Sequence, residues 1–364
     1  MEVAALNDIF KGRKVFLTGH TGFKGSWLLY VLHTLGAEVK GYALPPVNEK
    51  DIYNSINGNA LCQSVEADIR DAERLKAEIL SFAPDFIFHL AAQPLVRLSY
   101  ETPLDTYAVN CQGTANVLDA LRFFDKACVA VMITTDKVYA NFETGHYYSE
   151  NDRLGGYDPY SASKACAELV IDSYRNSFFN LKTYNQHKKS VSVARAGNVI
   201  GGGDWSRDRI IPDIARALSA GEAVKVRNPA SVRPWQHVLE PVLGYIVLAA
   251  HQFNDPLQYA TAFNFGPSAN DILPVSQLVE LAIGNWGGGT FEKPESTDQP
   301  HEAGLLHLDI SKAAKELGWK PKMNSTTAIK NTIDWYKTAL TDQTNIKQFT
   351  EQQINNYLKL YNER

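Results

Sequence analysis

The first half of the sequence keeps one rhythm, in which short apolar, β-rich runs alternate with segments of helical pattern. KVFLTG, EVKGYAL, SVEAD, DFIFHLAA, CVAVMITT and SVSVARAG read as strands. GSWLLYVLHTLG, RDAERLKAEILSF, TYAVNCQGTANVLDALRFF and SASKACAELVIDSYRNS read as helices between them. Parallel neighbouring strands need a crossover, and helices of this length supply one. The rhythm therefore predicts an α/β fold, a doubly wound parallel sheet covered on both faces. It fades later, where RIIPDIARALSAG, VSQLVELAIG and SKAAKELGW read as helices among Pro- and Gly-bearing loops. A smaller C-terminal substrate-binding lobe is expected there. The expected division is 11–195 for a Rossmann-like dinucleotide-binding domain, re-entered around 232–266 through QHVLEPVLGYIVLAA and FNFG, with 196–231 and 267–360 as the lobe.

Composition narrows the function classes. A chain of 364 residues with 45% hydrophobic and 21% charged residues can bury a sizeable core. Its net charge of -4 and the lack of a dense Lys/Arg cluster argue against a nucleic-acid partner. The N-terminal MEVAALNDIF does not read as a signal peptide, and no run reaches the length of a membrane span. Cys62, Cys111, Cys128 and Cys166 show neither CxxC nor metal-ligand spacing. They read as reduced thiols in a cytoplasmic protein, and no metal is expected.

TGHTGFKG places Gly19, Gly22 and Gly25 directly after the first strand and before a helix. In that context Gly19 permits a tight turn, Gly22 lets backbone N–H groups approach a pyrophosphate, and Gly25 allows close packing. The helix N-terminus adds unpaired donors and a positive dipole end. The second strand, EVKGYALPP, ends without the acidic residue that usually holds an adenine ribose, so it does not choose between NAD and NADP. Asp68, at the end of the third strand, is a candidate adenine contact, or else the N-cap of the helix after it.

Tyr160 and Lys164 in YSASK stand four residues apart and share one helix face. A nearby ammonium, with a nicotinamide ring, lowers the pKa of a phenol enough for it to take a proton from a sugar hydroxyl. The strand before it ends in TTDK, with Asp136 and Lys137 side by side. This is either an ion pair capping a strand end or a working acid and base.

Taken together, TGHTGFKG, HLAAQ, NCQGTANVL, TTDKVYA, YSASK, RAGNVIGGG and SKAAKELGWKP resemble the extended short-chain dehydrogenase/reductases that act on nucleotide sugars. More narrowly, GGGDWSRDRIIPD, VRPWQHVLEPVLGY and the Asp-Lys pair are similar to the branch of that family that dehydrates CDP-glucose. The resemblance implies bound NAD, a CDP-glucose substrate and an internal redox cycle. Carbon 4 of the glucosyl unit is oxidised with Tyr160 as base. The ketone acidifies carbon 5, water leaves across carbons 5 and 6, and hydride returns to carbon 6 and a proton to carbon 5. In related dTDP-glucose dehydratases an Asp-Glu pair serves the elimination. Here Asp136 matches the acid and Lys137 stands in the place of the base, while Thr135 would bind the carbon 4 hydroxyl.

The resemblance also implies cofactor contacts from Phe23, Ile69, Leu90, Ala91 and Ala92, and substrate contacts from Gln93, Arg97, Ser99, Asn198, Arg207 and Arg233. Trp205 and Trp235 could stack on a base or be buried, and His89 reads as packed rather than catalytic. Glu302 and His307, in HEAGLLHLD, carry no assigned role. The family implies a homodimer pairing through the helices TANVLDALRFF and SASKACAELVIDSY, and service in deoxysugar synthesis. The alternatives are a nucleotide-sugar 4-epimerase, a dTDP-glucose 4,6-dehydratase and a non-catalytic NAD-sensing regulator. Epimerisation at carbon 4 gives no use to Asp136 and Lys137, and a regulator gives none to Tyr160 and Lys164.

Overall fold

The computed structural model describes residues 1–293 and 306–363. A seven-stranded parallel sheet organises them. In chain order its strands are β1 (Lys14–Thr18), β2 (Glu38–Ala43), β3 (Gln63–Glu66), β4 (Phe86–His89), β5 (Cys128–Ile133), β6 (Lys189–Ala196) and β7 (Ala262–Phe265). The spatial order is β7-β6-β5-β4-β1-β2-β3, so the direction of winding reverses between β1 and β4. Every strand pair is parallel. Each residue of β5 and β6 is buried, as expected for strands covered on both faces. The last strand comes from FNFG, so late chain does return to the sheet.

Helices cover both faces, and each face has its own apolar core. The helix Phe23–Thr34 is apolar nearly all round because the helix Leu239–Asn254 packs on it from the other side. Two long C-terminal helices, Ser325–Thr341 and Ile346–Asn362, were not foreseen. Trp335 of the first seats under Gly202, where an added Cβ would stand 2.0 Å from the indole.

Three local expectations are corrected. The single helix expected over TYAVNCQGTANVLDALRFF is Pro103–Tyr107, a π turn over Ala108–Gln112, then Gly113–Arg122. The extra residue in that turn aims Asn110 inward, where its amide donates to Gln93 O and Ser163 Oγ. SKAAKELGW likewise contains a π turn over Ala313–Leu317. Asp71, not Asp68, caps the helix Ala72–Phe82 by accepting from Arg74 N–H.

Candidate active site

The carboxyl ends of β1, β4, β5 and β6 converge at the winding reversal, the place where open α/β sheets bind ligands. At the end of β1, Gly19 has φ +77°, and a Cβ there would lie 2.7 Å from Ala91 N. A Cβ on Gly25 would meet Gly19 O at 2.0 Å, so Gly25 lets the helix close on its own loop. Gly22 is the exposed N-cap of the helix Phe23–Thr34. Thr18 Oγ1 accepts from Leu90 and Ala91 N–H, at 3.1 and 3.2 Å, and binds the β4 loop to the glycine turn. Ala92 continues that loop, half-buried like Phe23. This tight, side-chain-free cradle ahead of a helix N-terminus fits a dinucleotide pyrophosphate.

His89 sits behind the loop, hydrogen-bonded to Thr18 Oγ1 at 2.8 Å and Thr114 Oγ1 at 3.1 Å. Burial, with Lys164 repelling its charge, pulls its pKa down to about 3, so it packs as a neutral ring. His20, given no role above, occupies space left by Gly41, where a Cβ would come within 2.3 Å of the ring. Its Nε2 pairs with Ser64 Oγ at 2.7 Å, and burial pulls its pKa down to about 4. Asp68 is engaged by Arg70, through both the N–H and the guanidinium, which holds its carboxyl below the usual range. Ile69 is buried against Gly113.

The helix Pro159–Ser177 starts where it does because Asp158 accepts from Ser161 N–H and Pro159 fills the first helical position. This sets Tyr160 and Lys164 on the face toward β5. Lys164 Nζ donates to Ile133 O at 3.0 Å. Its burial pulls the ammonium down to about 8, with Glu168 opposing that fall. Burial pushes the Tyr160 phenol up, while Lys137, the Thr135 hydroxyl and Arg209 pull it down and Asp136 pushes it up.

Beyond Ile133 the chain turns, and Asp136 is only 1% exposed. Its Oδ1 accepts from Thr135 Oγ1 at 2.8 Å and from Lys137 Nζ at 3.2 Å. Lys137 Nζ also reaches Asn198 Oδ1, at 3.5 Å. A Cβ at Gly197 would stand 3.3 Å from Asp136 Oδ2, so β6 ends against the carboxylate. Asp136 and Lys137 are therefore an ion pair, and one that stands beside the tyrosine.

Two residues of this centre escaped the sequence reading. Arg209, paired with Asp204 at 2.7 Å, bears on Tyr160, whereas the expected Arg207 is exposed on the same loop. Nothing in RDR says which arginine turns inward. Lys24, inside the glycine loop, donates to Tyr245 OH at 3.3 Å. Burial pulls it down to about 7, with Arg209, Lys164 and Lys137 adding repulsion and Asp136 opposing. A lysine at the start of an otherwise apolar helix was the available signal.

The other expected contacts divide. Asn198 reaches the catalytic pair, and Arg233 lies on a short strand with Nη1 on Val232 O at 3.1 Å. Arg97 and Arg227 meet on Asp208 Oδ1 at 3.2 and 2.8 Å. Gln93 spends its amide on Leu95 and Thr106. Ser99 is buried, and its Oγ accepts from Tyr160 N–H at 3.1 Å, so it sits behind the tyrosine. Trp235 is buried, and Trp205 packs edge-on against Tyr336. His307 stacks on Tyr147 at 4.9 Å, while Glu302 lies outside the described residues. No cluster able to hold a metal ion occurs among the described residues.

Comparison with known proteins agrees with this geometry. The family model described as GDP-mannose 4,6 dehydratase matches residues 16–332. The chain is 46% identical over 330 residues to a CDP-glucose 4,6-dehydratase of Salmonella typhimurium, covering 91% of this chain and 92% of the relative. It is 29% identical over 331 residues to a dTDP-glucose 4,6-dehydratase of Streptomyces antibioticus, covering 89% and 92%. Among solved structures, a dTDP-glucose 4,6-dehydratase of Streptomyces venezuelae with NAD bound superposes with a TM-score of 0.77 at 23% identity, over 92% of this chain and 100% of that one. A UDP-glucose 4-epimerase of Thermotoga maritima gives 0.74 at 20%, over 90% and 99%, so the fold is common to both reaction types. What the sequence motifs implied, the family match establishes: this chain belongs to the GDP-mannose 4,6-dehydratase family.

Proposed function

We propose that the protein converts CDP-glucose into CDP-4-dehydro-6-deoxyglucose and water. The observation that carries this reading is the buried Asp136 in contact with Lys137 beside Tyr160, in a chain 46% identical to a CDP-glucose 4,6-dehydratase. A 4-epimerase would give that pair nothing to do.

Gly19, Gly22 and Gly25 would hold NAD, which would supply the hydride acceptor for carbon 4 and the hydride donor for carbon 6. The protein manages the protons. Tyr160 takes the proton of the carbon 4 hydroxyl, aided by Thr135 and by the positive charge of Lys137 and Arg209. Lys164 adds its ammonium from one helical turn away. Asp136 and Lys137 then share one proton at 3.2 Å. When it sits on Asp136, the pair is a carboxylic acid beside a free amine. The amine removes the carbon 5 proton and the acid protonates the departing carbon 6 hydroxyl. The pair then stands as carboxylate and ammonium; the ammonium, after exchange with solvent, gives a proton to carbon 5 as carbon 6 is reduced, and the proton taken by Tyr160 returns to Asp136, which restores all three groups.

The same reading places Phe23, Asp68, Ile69, Leu90, Ala91 and Ala92 along the cofactor. It places Gln93, Arg97, Ser99, Asn198, Arg207 and Arg233 around the nucleotide sugar, with Ser99 acting through Tyr160. Residues 11–195 and 232–266 form the cofactor domain, and 196–231 with 267–360 the substrate lobe. A homodimer through the helices Gly113–Arg122 and Pro159–Ser177 is supported by exposed Leu104 and Leu169 near them. Four free cysteines favour a cytoplasmic setting, and no described helix is long and apolar enough to cross a membrane. The product would feed deoxysugar synthesis for a surface polysaccharide such as a lipopolysaccharide O-antigen.

The test is incubation with CDP-glucose and, separately, dTDP-glucose, with and without added NAD, reading the alkali-induced absorbance of a 4-keto-6-deoxy product. Product from CDP-glucose is expected. Product from dTDP-glucose alone would overturn the nucleotide assignment, and a galactose epimer would overturn the reaction.

A further inference from the structure

Beneath the reacting residues lies an ion pair that the reaction itself does not use. Glu168 and Arg195 are 2% and 4% exposed. Arg195 Nε donates to both carboxylate oxygens, at 2.8 and 3.1 Å, and Nη2 donates to Oε2 as well. Burying two charges this way contributes little net stability, because desolvation offsets the attraction. The pair therefore serves something other than net stability.

Two contacts supply one. Thr134 Oγ1 donates to Glu168 Oε1 at 2.6 Å, and Lys164 Nζ donates to Ile133 O at 3.0 Å. Lys164 and Glu168 are one turn apart on the helix Pro159–Ser177. They grip consecutive residues of the strand end that leads into Thr135, Asp136 and Lys137. The helix bearing Tyr160 and the turn bearing the acid–base pair are thus fixed to each other at two adjacent points.

The second contribution is charge. The titratable groups about Lys164 are Tyr160 and Glu168 on its own helix, Lys24 from the helix Phe23–Thr34 and neutral His89 from β4. Asp136 and Lys137 follow β5, and Arg195 on β6 lies behind Glu168. Lys24 feels both Lys164 and Lys137 as repelling charges. Against burial, Glu168 is the group that favours charge on Lys164.

Resting on the dehydratase reading, we propose that Glu168, clamped by Arg195, is a positioning residue that holds Thr134 and the strand end in register with Tyr160 and sets a carboxylate one helical turn from the Lys164 ammonium. Arg195 continues the scaffold outward. Its Nη1 donates to Tyr139 OH at 2.7 Å, and that hydroxyl donates to Asn264 Oδ1 on β7 at 2.7 Å. The Asn264 amide donates to Tyr148 O and Asp309 O, at 2.9 and 3.1 Å. The strand end is therefore referenced to the far edge of the sheet.

The test follows Lys164 itself. In protein labelled with 15N-lysine, the Nζ resonance is assigned by its loss in Lys164→Met and titrated in wild type and Glu168→Gln. The wild-type midpoint is expected at about 8, and Glu168→Gln should lower it by about one unit or more. The alkaline limb of kcat for the NAD-loaded enzyme should move down with it. A glutamate with a merely structural role would reduce kcat by one factor at every pH and leave the midpoint in place, which overturns the proposal. Should Glu168→Gln leave Arg195 unpaired and the chain unfolded, E168Q/R195M removes both charges and should show a shift of the same sign. An unchanged midpoint in that folded double variant overturns it equally. Thr134→Val should cut kcat about tenfold without moving the midpoint, and wild-type kcat there would refute the positional half. The titration needs no substrate, so a wild type inert toward nucleotide sugars would count against the proposed function alone.

Discussion

The floor of the site and its rim are built on different principles. On the floor, Thr134, Asp136, Tyr160, Lys164, Glu168 and Arg195 are each less than a tenth exposed, and every polar group there has a named partner or a chemical task. At the rim, Arg97, Asp208 and Arg227 meet through ion pairs that are 30–46% exposed. Buried charges act through low dielectric and shift each other's protonation, whereas exposed pairs are screened and nearly neutral in stability. On the proposed function, the floor would set chemistry and the rim affinity. Substitutions should separate along that line.

The largest effect falls on the floor. Tyr160→Phe removes the proton acceptor for carbon 4 and should cut kcat about a thousandfold, with near-UV circular dichroism unchanged. A loss of less than tenfold would remove the tyrosine from the mechanism. Asp136→Asn should slow product formation about a hundredfold while leaving carbon 4 oxidation intact. Absorbance near that of reduced nicotinamide should then build up during turnover, and its absence would mean that Asp136 serves oxidation as well.

A smaller effect concerns stability. The Lys164 pKa is depressed on folding to about 8, so the folded state disfavours the ammonium. The penalty is fully present below about pH 8 and is relieved as pH rises toward the ordinary lysine value. Lys164→Met should therefore stabilise the cofactor-free protein at pH 7 by about 1–2 kcal/mol while abolishing activity, with the gain shrinking by pH 10. Thermal melts at the two pH values check it; a destabilised variant at pH 7 would show that the bond to Ile133 O outweighs desolvation. The smallest effect lies at the rim. Arg227→Ala should raise KM several-fold, more at low salt, with kcat unchanged and stability altered by less than about 1 kcal/mol. A large fall in kcat would break the distinction between rim and floor.

The floor was also the more legible region. The Gly19–Gly25 loop, the Tyr160–Lys164 spacing and Asp136–Lys137 are local patterns whose side-chain directions follow from one strand end or one helix face. Six strands of the seven-stranded sheet were legible for the same reason, while the seventh, β7, lies in FNFG, where only a return of the chain to the first lobe was expected. Arg209 was missed because a loop residue's direction depends on what buries it, here the pairing with Asp204. Ser99 was expected at the substrate but sits behind Tyr160, a relation between two helices 61 residues apart that no local pattern carries. Asn110 turns inward through a π turn, and a single extra residue in a helix leaves apolar periodicity almost unchanged. Glu168 reads as another polar position on an amphipathic helix, and only the fold brings to it Arg195 from β6 and Thr134 from just beyond β5.

On the proposed function, the hydrogen that leaves carbon 4 returns at carbon 6 of the same sugar. The most direct measurement is turnover of CDP-glucose carrying deuterium at carbon 4, followed by mass spectrometry and NMR of the product. Deuterium at carbon 6, with a solvent hydrogen at carbon 5, is the predicted result. Deuterium lost to solvent, or retained at carbon 4 of an epimer, would contradict it.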